Sequence, residues 1–131
     1  MNFNSGDIIY TTCPGIPLCY HVGILAIVDG QILVFNNTPG AKNKWGGNVV
    51  AQPLEAFMKK RTLLKVAPGP GQCTSEIVAH AFQNRHRTWD ALAYNCEDYV
   101  NEVLYCKKQS RLRNLWQSAL AGGILYLAIN Q

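Results

Sequence analysis

The apolar pattern of this chain changes period once. From residue 6 to residue 68 the hydrophobic positions come in short runs of β-branched and aromatic residues bounded by Pro, Gly and Asn, the signature of strands. The runs are "GDIIYTT" (6–12), "YHVGILAIV" (20–28) and "QILVFNN" (31–37). The last two are joined by Asp29-Gly30, a dipeptide that tolerates the positive φ of a tight turn, so they are predicted to pair antiparallel. "TPGAKNKWGG" (38–47) has the composition of a surface loop. "NVVAQP" then predicts a short strand, "LEAFMKKR" a short helix and "TLLKVAP" (62–68) a further strand, closed by the breaker run "PGPGQ".

Beyond that breaker the period becomes helical. "TSEIVAHAFQNRH" (74–86) places Ile77, Val78, Ala81 and Phe82 on one face, with Glu76 in the first turn where it suits the helix dipole. A second helix is expected to open within "AYNCEDYVNEVLYCKK" (93–108): Asn95 is a good N-cap, Asp98 stands three residues on in a capping-box position, and Tyr99, Val100, Val103 and Leu104 form the buried stripe. Strands first and helices after predict an α+β fold, an antiparallel β-sheet packed against helices. With 131 residues, 48% of them hydrophobic, one domain spanning 1–131 can bury its own core.

Lys and Arg number 12 against 8 for Asp and Glu, a net charge of +4, which is mild attraction to anionic surfaces rather than the footprint of a dedicated nucleic-acid binder. The five cysteines (Cys13, Cys19, Cys73, Cys96, Cys106) are odd in number, form no C-x-x-C pair and follow no signal peptide. Reduced thiols in a cytosol-like compartment are therefore expected. His21, His80 and His86 lack the paired spacing of a zinc site, and no cofactor or metal is expected.

Cys96 falls at the first position of the second helix. There the unpaired N–H groups and the positive dipole end favour thiolate over thiol, which predicts a lowered pKa and a nucleophile. The other four cysteines are read as small hydrophobes, the usual role of the residue. A nucleophilic thiol needs a base, and His21, opening the strand "YHVGIL", is the best placed, because an imidazole at a strand start can face a helix N-terminus across a sheet. His80 lies beside an apolar helical stripe and His86 within "RHR", positions that suit packing or solvation.

These residues carry a resemblance. "GDIIY", "YHVGILAIVDGQILVFNN" and the later "YNCEDYVNEV" resemble the H-box/NC family, the lecithin:retinol acyltransferase-like and HRAS-like suppressor phospholipase/acyltransferases, over most of residues 6 to 105. Its specific parts are the His-x-Gly-Ile strand, the Asp-Gly hairpin, and Asn-Cys-Glu followed by an aromatic residue and Val at helical spacing. Small size, the hydrophobic C-terminal segment and a final Gln131 are most similar to the picornavirus 2A proteins of the H-box/NC type. The resemblance implies a circularly permuted NlpC-type, papain-like fold, with His21 as base, Cys96 as nucleophile and a thioester intermediate in acyl transfer or lipid hydrolysis. Two positions depart from the family. Its second histidine, after the hairpin, is missing from "VFNN", where Asn36 is expected to orient the base as an asparagine does in Cys-His-Asn sites. The histidine that usually follows Asn-Cys-Glu is Asp98. A catalytically reduced member of the fold, retained as an adaptor in viral replication, is the alternative.

"LWQSALAGGILYLAI" (115–129) is almost wholly apolar but interrupted by Gln117, Ser118 and Gly122-Gly123, and it is shorter than the ~20 residues a spanning helix needs. It is expected either to close the core or to enter a membrane interface. "KKQSRLR" (107–113) suits anionic headgroups, phosphate backbones or simply a solvated helix end. Trp45 in the Gly-rich loop is either an exposed contact or tucked over the core. The expected partners are a lipid or acyl substrate, host proteins and a membrane surface, with RNA a weaker signal, and the expected location is the host cytoplasm at the periphery of membranes.

Overall fold

A computed structural model describes residues 2–16, 19–92, 94–105 and 110–113. The described strands are β1 (Ile8–Thr12), β2 (Tyr20–Val28), β3 (Gln31–Asn37), β4 (Val49–Pro53) and β5 (Leu63–Ala67). The helices are α1 (Leu54–Met58), α2 (Thr74–Gln83) and α3 (Cys96–Tyr105). The strands form one sheet in the order β4-β3-β2-β1-β5, antiparallel at every junction. The fold is α+β.

Asp29 (φ 51°) and Gly30 (φ 76°) both take positive φ, the type I′ geometry whose twist matches that of the flanking strands. This turn fixes the β2–β3 register, with Val28 opposite Gln31 and Ile24 opposite Phe35. β2 lies at the centre and alternates strictly between two faces. Val22, Ile24 and Ala26 join Ile8 on one face, under Ile77 and Ala81 of α2 and Tyr99, Val100 and Val103 of α3. Leu25 joins Ile9 and Val34 on the other, beneath Phe57 of α1. Gly23 belongs to this second face, where a Cβ would come within 2.5 Å of Val34 Cγ1 and 3.2 Å of the Phe35 carbonyl oxygen. That close approach accounts for the glycine two places after His21.

α2 is shorter than its sequence pattern suggested. It stops at Gln83, where the Asn84 side chain turns back to donate to the His80 carbonyl at 2.9 Å, a local bond that competes with helical continuation. Phe82, expected in the apolar stripe, is half exposed. Its ring meets the edge of Trp45 at 5.4 Å between centroids, with the Arg85 guanidinium 3.8 Å above it. Trp45 is itself 46% exposed. Among the described residues no helix is long and apolar enough to cross a membrane; the segment 115–129 and Cys106 lie outside them.

Candidate active site

The start of β2, the ends of β1 and β3 and the N-terminus of α3 meet at one end of the sheet, because β1–β2 pairing sets Thr11 against His21 and Thr12 against Tyr20. A cavity of about 250 Å³ opens there. Its wall includes Tyr20, His21, Arg61, Trp89, Cys96 and Leu112.

The α3 end is built as its sequence predicts. Asn95 Oδ1 accepts from the backbone N–H groups of Glu97 (3.0 Å) and Asp98 (3.2 Å), and Asp98 Oδ2 accepts from the Asn95 N–H at 2.9 Å. This reciprocal box satisfies donors that would otherwise be buried without partners. It fixes Cys96 as the first helical residue, with only 2% of its surface exposed. The thiol points at the Tyr20 carbonyl oxygen, 4.0 Å away.

Burial decides how this thiol titrates. The helix N-terminus predicted a lowered pKa, and the structure corrects that. Desolvation pushes the thiol up to about 12, with the Glu97 charge adding to the rise. The N–H groups of Val22, Glu97 and Cys96 itself act in the opposite direction but do not win. Removing a thiolate from water outweighs a few aligned dipoles.

His21 is 4% exposed, and its Nε2 lies 3.0 Å from Asn36 Oδ1. The amide orientation of Asn36 follows from its other partners. Nδ2 faces only acceptors: Gln52 Oε1 at 3.2 Å, the Val34 oxygen at 3.4 Å and the Val50 oxygen at 3.5 Å. Oδ1 must therefore accept, which assigns the ring proton to His21 Nε2 and leaves Nδ1 with a free lone pair. Burial lowers the imidazole pKa to about 4; the Asn36 bond opposes this and the Arg61 charge reinforces it. At neutral pH the imidazole is therefore an uncharged base.

The three candidate catalytic residues, Cys96, His21 and Asn36, thus gather at one end of the sheet, but the strand's alternation divides them. His21 and Asn36 lie on the α1 face, the His21 ring 5.7 Å from that of Phe57, while Cys96 packs with Val22 and Ile24 on the α3 face. No hydrogen bond joins Cys96 to the His21 ring; their bonds go to Tyr20 and Asn36.

Several contributors have a structural role that the sequence did not assign. Glu97, 4% exposed, accepts from Tyr20 Oη at 2.8 Å, from the Leu112 N–H at 3.0 Å and from the Arg111 N–H. Arg111 also pairs with Glu97, and Arg113 with Asp98. Two of the cations read as suited to headgroups or phosphates are thus committed to the first turn of α3. They hold Leu112, fully buried, against the cavity. Cys13 and Cys19, expected as reduced, form a disulfide with Cα atoms 5.6 Å apart, and both line the cavity. Six residues of separation and a turn at Pro14-Gly15 bring them within bridging range. Cys73, expected to be buried, is exposed, and its thiol lies 3.2 Å from Glu76 Oε1. His80 is packed as anticipated, with Nδ1 3.2 Å from the Val103 oxygen.

Set against known proteins, the chain matches no protein-family model, no curated protein and no solved structure.

Proposed function

We propose that this chain is a circularly permuted NlpC/papain-like domain of the H-box/NC type. In this reading Cys96 is the nucleophile, His21 its base and Asn36 the group that holds the imidazole, in a thiol-dependent phospholipase/acyltransferase acting at host membranes during viral replication. The observation that supports it best is the His21–Asn36 hydrogen bond, which leaves Nδ1 unprotonated on a residue that shares a cavity wall with the thiol. This is the logic of Cys-His-Asn sites.

The reaction balances as an exchange at an acyl carbon. The Cys96 proton passes to His21 Nδ1 as the sulfur bonds to the ester carbonyl carbon. The bond from that carbon to the alcohol oxygen breaks, and the oxygen leaves with the proton. The thioester on Cys96 is then attacked by water or by a second acceptor, and a proton returns to the sulfur. Proton transfer needs His21 Nδ1 within about 2.6 to 3.2 Å of the donor, so a turn of the His21 side chain toward Cys96 is part of this reaction.

A second reading has its own observation. A thiol 2% exposed, pushed up to about 12 and packed on the sheet face opposite the imidazole suits a catalytically reduced member of the fold, an adaptor for host proteins, membrane surfaces or RNA. Incubation with a short-chain phosphatidylcholine separates the two. The enzyme reading expects an acyl adduct on Cys96 by intact-mass spectrometry, labile to hydroxylamine and absent from Cys96→Ser and His21→Ala. Absence of any adduct on the folded native protein leaves the adaptor.

A further inference from the structure

The cavity wall carries one more group. Arg61 lies between α1 and β5, half-buried, with Nη1 donating to the Thr12 carbonyl oxygen at 3.3 Å and the guanidinium 5.3 Å from the centre of the Phe57 ring. The ion pairs among the described residues involve Arg87, Arg111 and Arg113, and none involves Arg61. The described lining of the cavity contains no carboxylate. Among the described residues this cation, set partly out of water, has one hydrogen-bond acceptor and no counter-charge, an incomplete arrangement. Its charge reaches both Cys96 and His21.

We propose that Arg61 binds an oxyanion, a phosphate ester or a carboxylate, carried by the molecule that enters this cavity, and so selects anionic ligands beside Cys96. The guanidinium offers a planar fork of donors matched to two oxygens of such a group, which a neutral headgroup cannot use. The Cys13–Cys19 disulfide and Leu112 line the same cavity, so the anion would be held in the cavity that Cys96 lines. Under the acyl-transfer reading, on which the reactive part of this inference rests, Arg61 is the residue that orients the acyl donor. Anion binding itself does not need the chemistry to proceed.

The test uses the full chain and has two arms. In the first, amide and indole proton–nitrogen spectra are followed while inorganic phosphate, acetate or chloride is added at constant ionic strength. Saturable shifts at the Trp89 indole and the Thr12 amide are expected with phosphate or acetate and not with chloride. In Arg61→Gln the apparent affinity should fall by roughly tenfold or more, with Arg61→Lys between the two. In the second arm, Cys96 is alkylated with iodoacetate or iodoacetamide and read at its own peptide. Sulfur displaces iodide in both reagents, so only the reagent charge differs, and the iodoacetate-to-iodoacetamide rate ratio should drop in Arg61→Gln. The proposal is overturned by native protein whose spectra do not saturate with either oxyanion, or by an affinity that Arg61→Gln leaves unchanged. Saturable binding with no acyl adduct on Cys96 would sink the acyl-transfer reading and leave the anion site standing.

Discussion

Helices α2 and α3 have ten residues each, and each has a cysteine at its N-terminal end, Cys73 as the N-cap of α2 and Cys96 as the first residue of α3, yet the two sulfurs live in different media. Cys73 caps α2 through its backbone alone, without a side-chain cap bond, and its thiol is in solvent beside Glu76. Cys96 opens α3 behind a complete Asn95–Asp98 box, with 2% of its surface exposed. The same dipole acts on both. At Cys96 the loss of hydration on burial is the larger quantity, and the aligned N–H groups of the helix N-terminus do not offset it.

The largest expected effect tests that contrast directly. A thiol pushed up to about 12 holds on the order of a thousandfold less thiolate near pH 8 than an ordinary cysteine, and alkylation follows the thiolate. Brief treatment of the folded protein with iodoacetamide should therefore label Cys73 far ahead of Cys96, and peptide-resolved mass spectrometry reads both at once. Comparable rates would mean that Cys96 is activated after all.

Burial governs His21 on the opposite face in the same way, and the sign can be worked out. The unfolded imidazole takes up its proton near pH 6.5 and the folded one near 4, so the unfolded state binds more protons between those values. The stabilisation is fully present above pH 6.5 and is lost as the pH falls toward 4, by roughly 3 kcal/mol for a shift of this size. Urea unfolding across pH 4 to 7 should show a slope that His21→Gln largely removes. A variant with the same slope as the native chain would assign the acid sensitivity to other groups.

How much of this was legible in the chain follows from how local each interaction is. β2 and β3 begin and end where the apolar runs do, because Asp29-Gly30 leaves the hairpin one register. The α3 cap was legible for a similar reason, since all its partners lie within three residues. What was not legible depends on distant residues. Glu97 meets Tyr20 across 77 positions and Arg61 meets Thr12 across 49, and no periodicity encodes such pairs. Phe82 kept its helical spacing but lost its burial to Trp45 and Arg85, which satisfy it at the surface. The face on which His21 lies was in principle readable from alternation. Val22 and Ile24 mark the α3 side, so a residue at odd position on β2 points away from Cys96.

The smallest effect isolates the caps. Asn95 is fully buried and accepts from two N–H groups of α3 while donating through Nδ2 to the Ala91 oxygen at 3.2 Å. Asn95→Ala removes those acceptors where water cannot replace them, and should cost about 2 kcal/mol, the upper end for a cap. Cys73→Ala removes an exposed thiol that makes no cap bond, so its effect should stay within ~0.5 kcal/mol, as for most surface changes. Both are read as shifts in the urea midpoint at unchanged slope. Equal costs at the two positions would show that enclosure of the α3 end adds nothing to its cap. A larger penalty at Asn95 means that the hydrogen bonds positioning Cys96 gain their strength from the same exclusion of water that keeps the thiol protonated. Any route to a reactive sulfur would then have to admit a base or a ligand without loosening that cap.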